Sequence, residues 1–227
     1  MKTFLAVLAT AAILIVLLTL LPRSTPDAPV GAVHDLPWQI DMLPDGKSRV
    51  FGLTIGVSTL ADARSRFGDD NELAIVTAPG ESGSVEAFYR DVTMGAITGK
   101  LILTADIPEQ TIVSMRQRAK KLEYMQSSTK KATLADEDAV VAESASIRAI
   151  AFIPTVNLDE EMVTSRFGRP SERIRSSESV EHYLYPDRGL DVVLDSKGKE
   201  LLQYVAPQQF ELLREPLLRS QTDKRTD

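Results

Sequence analysis

Ser65-Arg66-Phe67-Gly68 recurs a hundred positions later as Ser165-Arg166-Phe167-Gly168. Each copy closes a short segment that opens with helix-start chemistry, and each is followed by runs that alternate like strands. In the first copy Ser58 or Thr59 can cap the helix, its hydroxyl accepting from an amide of the first turn that has no helical partner. Leu60, Ala63 and Phe67 then share one helical face, and Gly68 supplies the stop. In the second copy Asn157-Leu158-Asp159-Glu160 forms a variant capping box. Val163 and Phe167 repeat the spacing of Ala63 and Phe67, and Gly168-Arg169-Pro170 ends the helix. The duplication therefore extends to a whole unit.

The flanking runs supply strands. Trp38 to Met42 and Ser48 to Ile55, joined at Pro44-Asp45-Gly46, read as a hairpin. After the first helix come Leu73 to Thr77, Ser84 to Arg90 and Ile97 to Ala105. Around the second lie Ser146 to Ile153 and a meander, Val180 to Tyr185, Leu190 to Asp195 and Glu200 to Val205. Its turns are Pro186-Asp187-Arg188-Gly189 and Asp195-Ser196-Lys197-Gly198. Ser84-Val85-Glu86-Ala87-Phe88 lines up with Ser179-Val180-Glu181-His182-Tyr183 at an offset of 95.

Strand parity divides these residues into two faces. Val85, Ala87, Tyr89, Val180, His182 and Leu184 are assigned to the helix-covered core, with His182 as a hydrogen-bonded or peripheral core residue. Glu86, Phe88, Arg90, Glu181, Tyr183 and Tyr185 fall on the outer face, joined by Tyr204. That mixture of aromatic and charged groups has the composition of a protein-binding surface.

The chain has 227 residues, 43% of them apolar, enough for two small cores. A net charge of −6 disfavours a nucleic-acid partner, because phosphate repels an acidic surface. Cysteine is absent, which removes disulfides, thiolate catalysis and Cys-rich zinc sites. Histidine is limited to His34 and His182, so a multi-His metal site is not expected, nor is any cofactor.

Residues 4–21 form an uncharged apolar run between Lys2 and Pro22-Arg23. At a rise of about 1.5 Å per residue such a run can cross a bilayer. No small-residue cleavage site follows it closely, so an uncleaved inner-membrane anchor is preferred to a removed signal peptide. The remainder is then placed in the periplasm. Residues 22–37, with four prolines, read as a linker. A first repeat is expected over 38–107, a helical connector over 108–143, a second repeat over 144–213 and a flexible tail over 214–227.

In the connector, Ile112, Met115, Ala119 and Leu122 make an apolar helical stripe, and Arg116, Arg118, Lys120 and Lys121 a basic cluster. Anionic headgroups or an acidic envelope polymer could use that cluster, although charge runs usually mark a solvated face. Ser127-Ser128-Thr129-Lys130 matches the S-x-x-K element of penicillin-recognising enzymes, but the companion S-D-N and K-T-G elements are missing. The acids Asp136 to Asp138 and Asp159 to Glu161 suit the positive ends of helix dipoles. Asp69-Asp70 lacks the spaced oxygen ligands of a calcium loop. No nucleophile and base stand in a recognisable motif, and an enzyme is not expected.

Gly56-Val57-Ser58, then Asp62-Ala63, then Phe67-Gly68 followed by strands, resembles the motif of the small SmpA/OmlA (BamE) envelope lipoproteins. It is also similar to the tandem domains of the β-lactamase inhibitor protein. Phe167-Gly168-Arg169-Pro170, Tyr183-Leu184-Tyr185 and the Gly198 hairpin fit the same pattern in the second copy. The resemblance covers roughly residues 48–105 and 146–206. It departs at the missing lipidated Cys and at Thr155-Val156-Asn157, where the glycine motif should stand.

What the resemblance implies is a non-catalytic scaffold. The expected fold class is α+β, an N-terminal transmembrane helix followed by two tandem repeats, each a short helix packed on an antiparallel sheet. The expected function is a membrane-anchored periplasmic module that binds an envelope protein. The alternatives are an envelope lipid- or glycan-binding protein and an inhibitor of an envelope enzyme.

Overall fold

The computed structural model describes residues 34–125 and 128–223. Three short strands, β1 (Ile40–Met42), β2 (Ser48–Val50) and β3 (Leu53–Thr54), form a small antiparallel sheet. Helix α1 (Leu60–Phe67) leads into β4 (Asn71–Thr77), β5 (Ser84–Met94) and β6 (Ile97–Ala105). Then come α2 (Glu109–Gln117), β7 (Lys121–Tyr124), β8 (Lys130–Thr133), α3 (Asp136–Ser144) and β9 (Ile147–Pro154). The second repeat continues with α4 (Glu160–Phe167), β10 (Glu172–Arg175), β11 (Val180–Tyr185), β12 (Leu190–Asp195) and β13 (Leu201–Val205). A final helix, α5, spans Glu211–Asp223.

The expected fold class is corrected here. Strand outweighs helix among the described residues, and the repeats do not keep a sheet each. Strands β4 to β13 join in one ten-stranded antiparallel sheet in the order β10-β11-β12-β13-β9-β6-β5-β4-β8-β7. The fusion happens at β9, which pairs with β13 on one side and with β6 on the other. Among the described residues no helix is long and apolar enough to cross a membrane. The anchor expected over 4–21 and most of the linker lie outside the described residues.

The two helix starts form as local chemistry dictates. Thr59 and Asp62 exchange bonds in a capping box, at 3.1 and 2.8 Å. In the second copy the cap is Asp159, not Asn157, and its carboxylate accepts from Met162 N at 2.7 Å. Gly68 and Gly168 end their helices at φ of 90° and 79°, a region costly for a residue with a Cβ. Each helix then lays its last aromatic on a strand tyrosine, Phe67 on Tyr89 and Phe167 on Tyr185, with centroids 5.7 and 5.9 Å apart.

One sheet face carries the main core, covered by the helices preceding each meander and by the N-terminal segment. A row of facing side chains runs Tyr183, Val192, Leu202, Phe152, Leu101, Tyr89 across six strands. Phe51 plugs the seam between the repeats, its ring 5.2 Å from Phe152 and 5.6 Å from Tyr204. It occupies the β2–β3 turn at φ 55°, followed by Gly52 at 75°. A two-residue turn of this hand needs positive φ at both positions, and ring burial offsets the strain at Phe51.

On the opposite face Phe210, just before α5, and Leu213 and Leu217 within it cover Ile174, Leu184, Val193, Leu201 and Val205. A tail expected from residue 214 is therefore helix as far as Asp223. The expected helical connector is also interrupted. Helix α2 stops at Gln117, and residues 121–124 and 130–133 form the β7–β8 hairpin that extends the sheet beyond β4.

Candidate protein-binding edge

The sheet places the sequence-predicted surface residues differently from the parity argument. Tyr183, Tyr185 and Tyr204 are buried in the main core, at 1%, 5% and 0% exposure. Tyr204 OH donates to the Pro37 carbonyl at 2.8 Å, and Tyr185 OH to the Gly168 carbonyl at 2.9 Å. Glu86 and Phe88 point to the other face, where Phe88 packs against the cluster under α5. Glu86 is buried, Ser84 Oγ donates to it at 2.6 Å, and burial pushes its carboxyl up to about 7. Glu181 stays on the tyrosine side, 3.3 Å from Tyr183 OH, while Arg90 is exposed.

The seven residues thus do not form one surface. The true structural equivalence is Tyr89 with Tyr185, an offset of 96. A slip of one residue moves every side chain to the opposite face.

The basic connector does not gather either. Arg118 Nη2 donates to Asp138 Oδ1 at 2.5 Å, Lys120 pairs with Asp136, and Lys121 bonds Glu123 at 2.8 Å. Arg116 Nη1 donates to the Ser82 carbonyl at 3.2 Å, tying α2 to the loop after β4. The four cations serve different local partners, and helix α2 holds only Arg116.

Sequence reading missed a different feature, the free edge at β7. Among the described residues this strand pairs with β8 alone and ends the sheet order. Met125 N donates to Thr129 O at 2.8 Å, which marks 125 and 129 as a hydrogen-bonded pair. By antiparallel alternation Glu123 bonds Lys131, and the backbone groups of Leu122 and Tyr124 turn outward. Their side chains are 50% and 73% exposed, unusual for large apolar groups standing two apart on one face.

Beside them lies an open recess of about 790 Å³, lined by Pro79, Glu81, Arg116, Ala119, Leu122 and Tyr124 among others. Arg116 on the Ser82 carbonyl, and Ser82 Oγ on Glu109, hold the loop that forms its wall. Among the described residues neither buried carboxylate oxygen of Glu81 has a hydrogen-bond partner, and burial raises this carboxyl to about 7. Such a group gains from any incoming donor. Lys130 Nζ sits 5.4 Å from the Tyr124 ring and steadies the far wall. The signal available in sequence was the alternation Lys121-Leu122-Glu123-Tyr124, which has strand period and follows a helical stripe without a stop residue.

Among the described residues no group of three or more His, Cys, Asp or Glu gathers to hold a metal ion. No protein family, no curated protein and no solved structure matches the chain.

Proposed function

We propose that the chain is a protein-binding module of the cell envelope that takes an extended segment of another envelope protein as an added strand at β7. The observation that carries this reading is the outward-turned backbone of Leu122 and Tyr124, with both side chains exposed at the mouth of a recess. Main-chain bonds to the edge would supply affinity, and alternate side chains of the segment would enter the recess against Leu122 and Tyr124. Glu81 offers a buried acceptor or, when protonated, a donor to that segment. Natural sheets guard free edges with charge. Here Lys121 and Glu123 neutralise one another on the opposite side of the strand, so the apolar side stays open.

The reading is of the same kind as the scaffold role implied by the resemblance to the SmpA/OmlA (BamE) group, but it uses another surface. Its envelope placement rests on the composition of residues 4–21. A photo-crosslinking residue in place of Tyr124, in cells of the native host, should capture one dominant envelope protein. Leu122→Pro removes an outward N–H without breaking the β7–β8 ladder and should abolish the capture. Capture that survives Leu122→Pro in a folded protein would rule out strand addition.

A further inference from the structure

Three adjacent strands of the second repeat bring Ser176, His182 and Asp191 into one hydrogen-bonded chain. His182 Nδ1 lies 2.7 Å from Asp191 Oδ2, and His182 Nε2 lies 3.0 Å from Ser176 Oγ. Asp191 is 1% exposed and His182 8%, while Ser176, just past the end of β10, is half-buried. The polarity of the chain follows from its buried end. An ionised carboxylate only accepts, so Nδ1 carries the proton and Nε2 presents its lone pair to the serine hydroxyl. Among the described residues Asp191 Oδ1 has no hydrogen-bond partner, so the imidazole N–H at Oδ2 is the contact that compensates this buried carboxyl.

The serine is held in place from both sides. Ser176 N donates to Val180 O at 3.1 Å, and Ser177 Oγ accepts from Val180 N at 3.1 Å. The turn between β10 and β11 therefore fixes the hydroxyl against the ring, while the neighbouring Ser177 oxygen is engaged in the turn itself. A hydroxyl bonded to a neutral imidazole whose other nitrogen is oriented by a carboxylate is the arrangement that activates a nucleophile.

We propose that Ser176 is an activated nucleophile that accepts acyl groups from activated carboxylic esters, independently of the β7 edge. In the step, Ser176 Oγ bonds to the carbonyl carbon and its proton passes to His182 Nε2. The bond from that carbon to the alcohol oxygen breaks, and the proton leaves with the departing alkoxide. No oxidant or metal is required. His182 acts as the base, and Asp191 is a positioning residue.

The test exposes the full chain to p-nitrophenyl acetate and maps acetyl groups by peptide mass spectrometry. Acetylation should concentrate on Ser176 and spare Ser177. Asp191→Asn changes the charge but hardly the shape. It removes the negative charge that would stabilise the imidazolium formed when Nε2 takes the serine proton. Acetylation at Ser176 should then slow by about 100-fold or more, the usual scale of general-base catalysis. Equal rates in wild type and Asp191→Asn would overturn the proposal, as would a wild-type chain acetylated no faster at Ser176 than at Ser177. Should Asp191→Asn fail to fold, the Ser176-to-Ser177 ratio in the wild type decides alone.

Discussion

Replacing Tyr204 by Phe removes one oxygen and keeps the ring that packs on Phe51. The lost hydroxyl donates to the Pro37 carbonyl at 2.8 Å, a bond buried at both ends. Burial holds the Tyr204 phenol protonated, raising it well above its ordinary range. The buried Pro37 carbonyl would be left unpaired, which costs about 1–3 kcal/mol. At a loss near ~2 kcal/mol, a chain of this size should melt roughly 4–8 °C lower. Thermal unfolding followed by circular dichroism measures the shift. The damage should also be local first, because the bond ties residues 34–47 across the second repeat. Gln208 Nε2, donating to the Gly46 carbonyl at 2.7 Å, and Arg166 over the Trp38 ring, at 4.6 Å, are further ties over that gap. Limited proteolysis should therefore cut the 34–47 segment sooner in Tyr204→Phe. An unchanged melting temperature with unchanged proteolysis would refute the claim that the Tyr204 hydroxyl is a buried latch.

Two further outcomes follow from burial. Phe167→Ala should cost about 3–5 kcal/mol in a denaturant titration, as for other buried aromatics. Phe67→Ala should cost less, because Phe67 is only partly buried where Phe167 is 3% exposed. Glu86, raised from 4.5 to about 7 by burial, makes the folded state bind a proton that the unfolded state has released. Its contribution to stability is full below pH ~4.5 and is lost as pH rises towards 7, with a slope of at most about 1.4 kcal/mol per pH unit. Glu86→Gln should flatten the stability profile in that window, as measured by urea unfolding at successive pH values.

Much of this fold can be read from local chemistry. The capping box at Thr59, the glycine stops at 68 and 168, and the meander from Val180 to Val205 depend on neighbours within a few residues, and they form where the pattern places them. Face assignment is not local. In β11 to β13 one side packs under the helices and the N-terminal segment, and the other under α5. Apolar groups then stand on both sides, alternation fades, and the chemical likeness of Ser84-Val85-Glu86 to Ser179-Val180-Glu181 misleads by one residue. The Phe–Tyr ring pairs set the correct register, but those are contacts between elements. The β7 edge was hidden differently. Lys121-Leu122-Glu123-Tyr124 fits a strand, yet Leu122 also continues the helical spacing from Met115 and Ala119. No glycine or proline stands between them to decide.

The fused sheet explains why the edge matters. A sheet per repeat would leave four edges, and a strand at an edge invites pairing with another chain. Joining the repeats through β9 removes two of them, and Phe51 fills the seam at the join. Two edges remain, and they are not alike. At β10, Arg173 pairs with Glu160 and Arg175 stands 69% exposed, so cations line that strand. At β7 the charges sit on one side and Leu122 and Tyr124 on the other. Keeping two large apolar groups exposed brings no folding stability. Their cost in solubility is offset only if something docks there, which makes β7, not the tyrosine face, the surface where a partner should be sought.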